Sequence, residues 1–245
     1  YTTVDTLVVG RFVGTAALSA VSTCGELVNF YGMIGMGLAS AGQIIIAQFV
    51  GKNDKVSIGK TIGAMFSSLT VLAVLFSVLC ILTLDRQLRW IKLPTEALAD
   101  GKSYTMVSAV GFVFIFGYNA VSAALRGMGD SRRPLLFVAI ASVANLLLDL
   151  LFVLAFGWGA FGAALATILG QAFSVVASVV YLYRRKEAFC FDFRIRSFRP
   201  ERRYLKMLLQ LGIPTAAQFA AILVSVLFIG AQINSFGVAA SAANG

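Results

Sequence analysis

The chain has 245 residues, of which 59% are hydrophobic and 13% charged, with a mean hydropathy of +0.86 and a formal charge of +9. A charged fraction about half that of ordinary soluble domains excludes a water-facing globule. Histidine is absent, which removes imidazole metal ligands and the commonest general base.

The opening "YTTVDTLVVG" is apolar but only ten residues long. It is read as the outer end of a helix whose first half precedes it. Apolar runs then recur at 19–50, 56–84, 104–125, 135–157, 160–183 and 208–233, each of the order of the ~20 residues that cross a bilayer. The fold class predicted is all-α, a polytopic transmembrane helical bundle. If successive loops alternate sides, 51–60, 126–133 and 184–206 fall together and hold fifteen of the twenty Lys and Arg. That asymmetry is the positive-inside pattern of a multi-pass protein of the cell membrane. The basic stretch "RRKEAFCFDFRIRSFRPERRYLK" is therefore a cytoplasmic loop facing anionic lipid headgroups, and no nucleic-acid partner is expected. Cys24, Cys80 and Cys190 have no paired spacing, so neither a disulfide framework nor a thiolate metal site is indicated. "GMIGMGLASAG" and "GWGAFGAA" border long apolar spans and read as close helix packing rather than dinucleotide loops. Pro134 and Pro214 are expected at helix starts, where a missing N–H is harmless.

The first residues return near the last. "VDTLVVG" at 4–10 aligns with "VSVLFIG" at 224–230, and after a three-residue insertion "GTAALSA" at 14–20 aligns with "GVAASAA" at 237–243. Gly10 then matches Gly230, Gly14 matches Gly237, and Ser225 stands opposite Asp5. The period encloses six crossings, so the repeat is parallel.

Three carboxylates lie at membrane depth, namely Asp5, Glu26 and Asp149. Each costs about 2.5–3.5 kcal/mol to place in a bilayer, so such a group usually faces a cavity and functions there. At ~1.5 Å per residue, Asp149 lies about 12 Å below the turn at Gly157, Asp5 about 8 Å below Gly10, and Thr167 about 10 Å below Ala160. Glu26, near the start of its run, has the alternative of reaching the outer interface. Ser142, Asn145 and Asp149 share one helix face. Thr167, Gln171, Ser174 and Ser178 stripe the next helix, and Gln218, Ser225 and Gln232 the last. Such stripes can serve interhelical hydrogen bonding, but several aimed at one centre suggest a wet cavity, which Asn119 and Ser122 can join. Two carboxylates and an amide at one level need either a proton or a cation between them. Oxygen donors from Asp5, Asn145, Asp149 and Thr167 suit Na⁺ as well as H⁺.

Five segments in order resemble the MATE (multidrug and toxic compound extrusion) family: "VDTLVVGRFVGTAALSAVS", "GLASAGQIIIAQFVGKND", "ALRGMGDSRRPLL", "NLLLD" and "GWGAFGAALATILGQ". The resemblance implies a twelve-helix antiporter of two six-helix lobes that exports cationic or amphipathic compounds in exchange for H⁺ or Na⁺. It implies an ion site on Asp5 at the end of the first helix, Asn145 and Asp149 one turn apart in the fifth, and Thr167 in the sixth. Many members carry Pro directly after the fifth-helix Asp, where this chain has Leu150, which puts any Pro-linked backbone geometry in doubt. Residues 1–206 are then the amino-terminal lobe with its following loop, and 207–245 the start of the second. No cofactor is expected beyond the coupling ion, and no catalytic residue. The expected partners are small organic substrates and membrane lipids, with the protein a monomer. A lipid-linked saccharide flippase of the same superfold would need cationic residues within its helices, which are nearly lacking here. A membrane enzyme using the Asp pair would need His, Cys or more carboxylates on water-facing loops. A non-transporting scaffold leaves the polar stripes unexplained.

Overall fold

The computed structural model describes residues 9–184, 186, 191 and 194–243. After a helical end at 9–12 the chain runs through α1 (Thr15–Gly51), α2 (Lys55–Leu82), the short α3 (Leu84–Trp90), α4 (Leu98–Gly127), α5 (Arg132–Asp149), a π-helical segment (Leu150–Ala155), α6 (Gly159–Arg184), α7 (Arg202–Asn234) and α8 (Val238–Ala243). Six of these helices are long and apolar enough to cross a membrane: Thr15–Gly51, Lys55–Leu82, Thr95–Gly127, Arg132–Ala155, Gly159–Arg184 and Arg202–Asn234. No strand occurs among the described residues. Helices dominate because a backbone inside lipid must satisfy its own N–H and C=O groups.

The helix ends follow from local chemistry. Between α1 and α2, Asn53 takes a left-handed φ of 55°, tolerable for its short polar side chain. Asp54 then caps α2, its carboxylate accepting from the Ser57 N–H at 3.1 Å and from the Ser57 hydroxyl at 2.6 Å. Those bonds hold the Asp54 carboxyl below its ordinary pKa. The apolar run at 56–84 breaks at Thr83, whose hydroxyl donates back to the Leu79 carbonyl at 2.7 Å. α3 follows as an unforeseen amphipathic turn that buries Leu84 and Leu88 and pairs Asp85 with Lys102 at 2.7 Å.

α4 sits at the centre, packed against α1, α2 and α6, while α5 leans on α6 and α7 on α1 and α2. The aromatic heart of this core is Tyr31, with ring centroids 5.2 Å from Phe76 and 5.3 Å from Phe112. The described part of the basic 184–206 segment packs on α2. Phe191 and Phe198 pack edge to face at 5.1 Å and both touch Phe66 on α2, and the Ser67 hydroxyl donates to the Phe198 carbonyl. Lys60 pairs with Glu201 at 2.8 Å, and the Tyr204 and Ser57 hydroxyls are hydrogen-bonded at 2.9 Å.

Two expectations change. α7 begins at Arg202, so residues 206 and 207 both lie inside it, and Pro214 falls in the helix interior rather than at its start. Proline there removes one i→i−4 bond, a loss that membrane helices tolerate when nearby groups compensate. Here the Thr215 hydroxyl donates to the Leu211 carbonyl at 2.9 Å in the turn that proline weakens. Pro134, by contrast, is the third residue of α5, in its first turn.

One of the two glycine pairs in the repeat shares an unusual backbone. Gly14 has φ 127° and Gly237 φ 104°, each at the turn between an ending and a starting helix. Only glycine adopts such angles readily, which supports their equivalence. The helix starts that follow also meet, since Ser241 on α8 is hydrogen-bonded to Ser19 and, at 3.3 Å, to Thr23 on α1.

Candidate functional site

The π segment starts directly after Asp149. A switch from i→i+4 to i→i+5 bonding widens the turn and frequently marks functional positions. The sequence has Leu150 where the resemblance suggested proline, and the backbone changes register at that same residue. The depth counted at 1.5 Å per residue between Asp149 and Gly157 therefore does not carry through, because a wider turn rises less per residue.

Asp149 and Asn145 are both fully buried at 0% exposure, one turn apart on α5. The Asn145 amide donates to the Thr167 hydroxyl of α6 at 3.3 Å, which brings the residue one turn before Asp149 against the next helix. The Asn145 carbonyl oxygen has no hydrogen-bond partner among the described residues. A buried acceptor left in this way carries a desolvation penalty of about 1–3 kcal/mol, which a bound proton donor or cation would relieve.

Close approach of α5 and α6 is what allows the Asn145–Thr167 bond, and Gly170 provides it. A Cβ at Gly170 would stand 3.2 Å from the Ala141 carbonyl oxygen and 3.3 Å from the Asn145 Cβ. Sequence reading passed over this residue, since "ATILGQ" does not say which helix the glycine faces. Beyond Asp149, at the turn between the π segment and α6, Phe152, Phe156, Trp158 and Phe161 cluster, with Phe152 and Trp158 stacked at 5.3 Å. Aromatic rings of this kind suit the membrane–water interface.

The remaining candidates divide by position. Ser142 and Gln171 are half-buried on α5 and α6, beside Asn145 and Thr167 in sequence, and Asn119 is half-buried on α4. Ser174 and Ser178 are buried deeper along α6, where the Ser178 hydroxyl donates to the Ser174 carbonyl at 2.6 Å. Glu26 is half-buried and is the twelfth residue of α1, about 16 Å from the helix start, because α1 begins earlier than its apolar run. Gln218 and Ser225 are exposed on α7, which packs on α1, α2 and α8, and the Ser225 hydroxyl turns back to the Ala221 carbonyl at 3.2 Å. They stand apart from the Asp149 cluster. Asp5, with Ser225 its repeat partner, lies outside the described residues, as does Cys190. Among the described residues no three His, Cys, Asp or Glu side chains gather, leaving a donor set of one carboxylate, one amide and one hydroxyl.

Membrane-crossing helices around a buried carboxylate define a multi-pass helical membrane protein with an interior polar site. A family model described as MatE matches residues 1–151, and the chain belongs to that family. It is 32% identical over 234 residues to the probable multidrug resistance protein YpnP of Bacillus subtilis, covering 96% of this chain and 52% of that relative. It is also 32% identical over 251 residues to the probable multidrug resistance protein YoeA of the same organism, covering 99% and 53%. The fold is similar to that of a solved structure described as the inward-facing conformation of a multidrug resistance MATE family transporter of the MOP superfamily, with a TM-score of 0.90 at 23% identity, over 99% of this chain and 55% of that one. An outward-facing structure of such a transporter matches with a TM-score of 0.84 at 25% identity, over 91% and 49%. The chain spans about half the length of the relatives it matches.

Proposed function

We propose that the intact protein is a secondary active transporter that exports small cationic or amphipathic organic compounds in exchange for H⁺ or Na⁺. The observation that carries the reading is Asp149, fully buried on a membrane-crossing helix one turn from Asn145, whose amide reaches Thr167 on the next. A carboxylate in such surroundings is stable when protonated or when paired with a cation, and not when bare. Exchange between a loaded and an unloaded form, tied to the side that the cavity faces, would couple an ion gradient to export. One elementary charge moving through 100 mV supplies about 2.3 kcal/mol. In this reading Asn145 and Thr167 orient the ion, Asp5 completes the acidic pair from the first helix, and Ser142, Gln171 and Asn119 line the way to it. Gln218, Ser225 and Glu26 belong to the substrate path at a distance from the ion. The multidrug resistance names of the relatives support the substrate class, the remainder of the protein would supply a second lobe, and the protein works as a monomer.

The test replaces Asp149 with Asn in the intact protein reconstituted into vesicles. Asp149→Asn keeps the shape and most hydrogen bonds while removing the charge, so gradient-driven efflux should be lost with folding near normal. Asp5→Asn should match it, and the double variant should be little worse than either, as for groups acting as one unit. Efflux by Asp149→Asn at the wild-type rate under the same gradient would reduce the carboxylate to a packing group.

A further inference from the structure

On the flank away from Asp149, α1, α2 and α7 leave an apolar groove of about 500 Å³, walled by Leu38, Leu72, Leu75, Leu205, Leu209 and Ile213 and ended by Pro200. α1 and α4 lie between it and the α5–α6 pair, so it is separate from the ion site. Its α7 wall follows helical spacing, 205, 209, 213 and 216, and one turn earlier the same stripe reaches Arg202. From Arg202 to Ala216 is about 21 Å along the helix at 1.5 Å per residue. That length compares with about 15 Å for one leaflet, half of the ~30 Å hydrocarbon core. The groove therefore runs from the basic membrane surface to about the midplane.

Its size selects the occupant. A 20 Å length of α-helix with its side chains occupies roughly 1,600–2,300 Å³, well above the groove's volume of about 500 Å³. An α-helix is about 10–12 Å wide with its side chains, so another segment of protein could lie over the groove but could not fill it. A single hydrocarbon chain fits. The mouth adds charge. Lys60 is neutralised by Glu201 at 2.8 Å, whereas Arg199 and Arg202, flanking Pro200, are exposed and form no ion pair among the described residues. Two exposed guanidinium groups at headgroup level favour a phosphate that retains its negative charge. We propose that this groove holds one acyl chain of an anionic phospholipid of the basic-side leaflet, with its headgroup phosphate bound between Arg199 and Arg202.

The experiment is native mass spectrometry of the intact protein released from detergent containing equimolar phosphatidylglycerol and phosphatidylcholine. Wild type should retain one phosphatidylglycerol in preference to phosphatidylcholine. Arg199→Gln with Arg202→Gln changes only exposed side chains and should reduce that preference by about tenfold or more. Leu209→Trp fills the groove and should abolish retention of either lipid. If wild type retains no lipid, the rest of the protein covers the groove and the proposal fails. It fails equally if the double arginine variant keeps the full preference, or if a folded Leu209→Trp protein retains lipid as wild type does.

Discussion

Two glycines on α1 provide a contrast within one helix. A Cβ at Gly37 would lie 2.6 Å from the Cα and 2.7 Å from the backbone nitrogen of Ala216 on α7, whereas one at Gly32 would meet only the Ile115 Cγ2 at 3.7 Å. Gly32→Ala therefore adds ordinary contact and gains helix propensity, about 0.5–1 kcal/mol. Gly37→Ala gains the same propensity but meets backbone that cannot rotate away. Relief to an ordinary separation of 3.4 Å or more needs roughly 1 Å of helix displacement, an overpacking penalty of about 1–3 kcal/mol. The two variants should thus differ by about 1–3 kcal/mol, with Gly32→Ala at or above wild type and Gly37→Ala below it. Thermal or denaturant unfolding of the intact protein in detergent measures the difference. The mismatch should also loosen the α1–α7 seam, and cysteine pairs across it should cross-link more slowly. Equal stability of the two variants would refute the close α1–α7 contact on which the argument rests.

Gly170→Ala should push α5 from α6 and weaken the Asn145–Thr167 bond, so that ion-driven efflux falls while Gly117→Ala, with its nearest contact at 3.5 Å, changes it little. Gly14→Ala and Gly237→Ala each force a side chain into positive φ and should each destabilise by more than about 1 kcal/mol in unfolding experiments. Cysteines at Thr95 and Ser131, both exposed, should label from opposite sides of the membrane, with Thr95 outside; Ala97 in the same loop is fully buried and unsuited to labelling. The Asp54 cap gives a pH dependence of definite sign. Its carboxyl is held below the ordinary 3.8, so its contribution is complete above that value and is lost as pH falls through the lower folded-state value. Asp54→Asn should remove that component of acid sensitivity from the α2 amide exchange.

The spans were legible because lipid imposes a composition that no other setting requires. Their ends were less legible. Arg202, Arg203 and Lys206 looked like loop yet form the first turns of α7, since a helix leaving the bilayer can carry charge into the headgroup water. At the candidate site, the i, i+4 spacing of Asn145 and Asp149 gave their common face, whereas the bond from Asn145 to Thr167 depends on how α5 and α6 are docked. The π segment had no such signature: "LLFVLA" is equally apolar in either register. Gly170 escaped notice for a similar reason, because its role is a distance between two helices and not a pattern within one. Gln218 and Ser225 lie apart from the Asp149 cluster, since a polar stripe has a direction but its target depends on how the helix is docked.

The repeat ties these points together. Gly14 and Gly237 were paired by alignment alone, and both adopt the positive φ that their turns demand. The helices that follow them touch through Ser19, Thr23 and Ser241, and Ser19 aligns with Ala242, next to Ser241. When two equivalent segments contact each other through nearly equivalent residues, the axis relating them passes through that contact, as at any isologous interface. Asp149 lies off this axis, on α5, and Asp5 is matched in the repeat by Ser225, whose hydroxyl is turned back on its own helix. At the one acidic position whose counterpart lies within this chain, the turn that follows is repeated while the carboxylate is not.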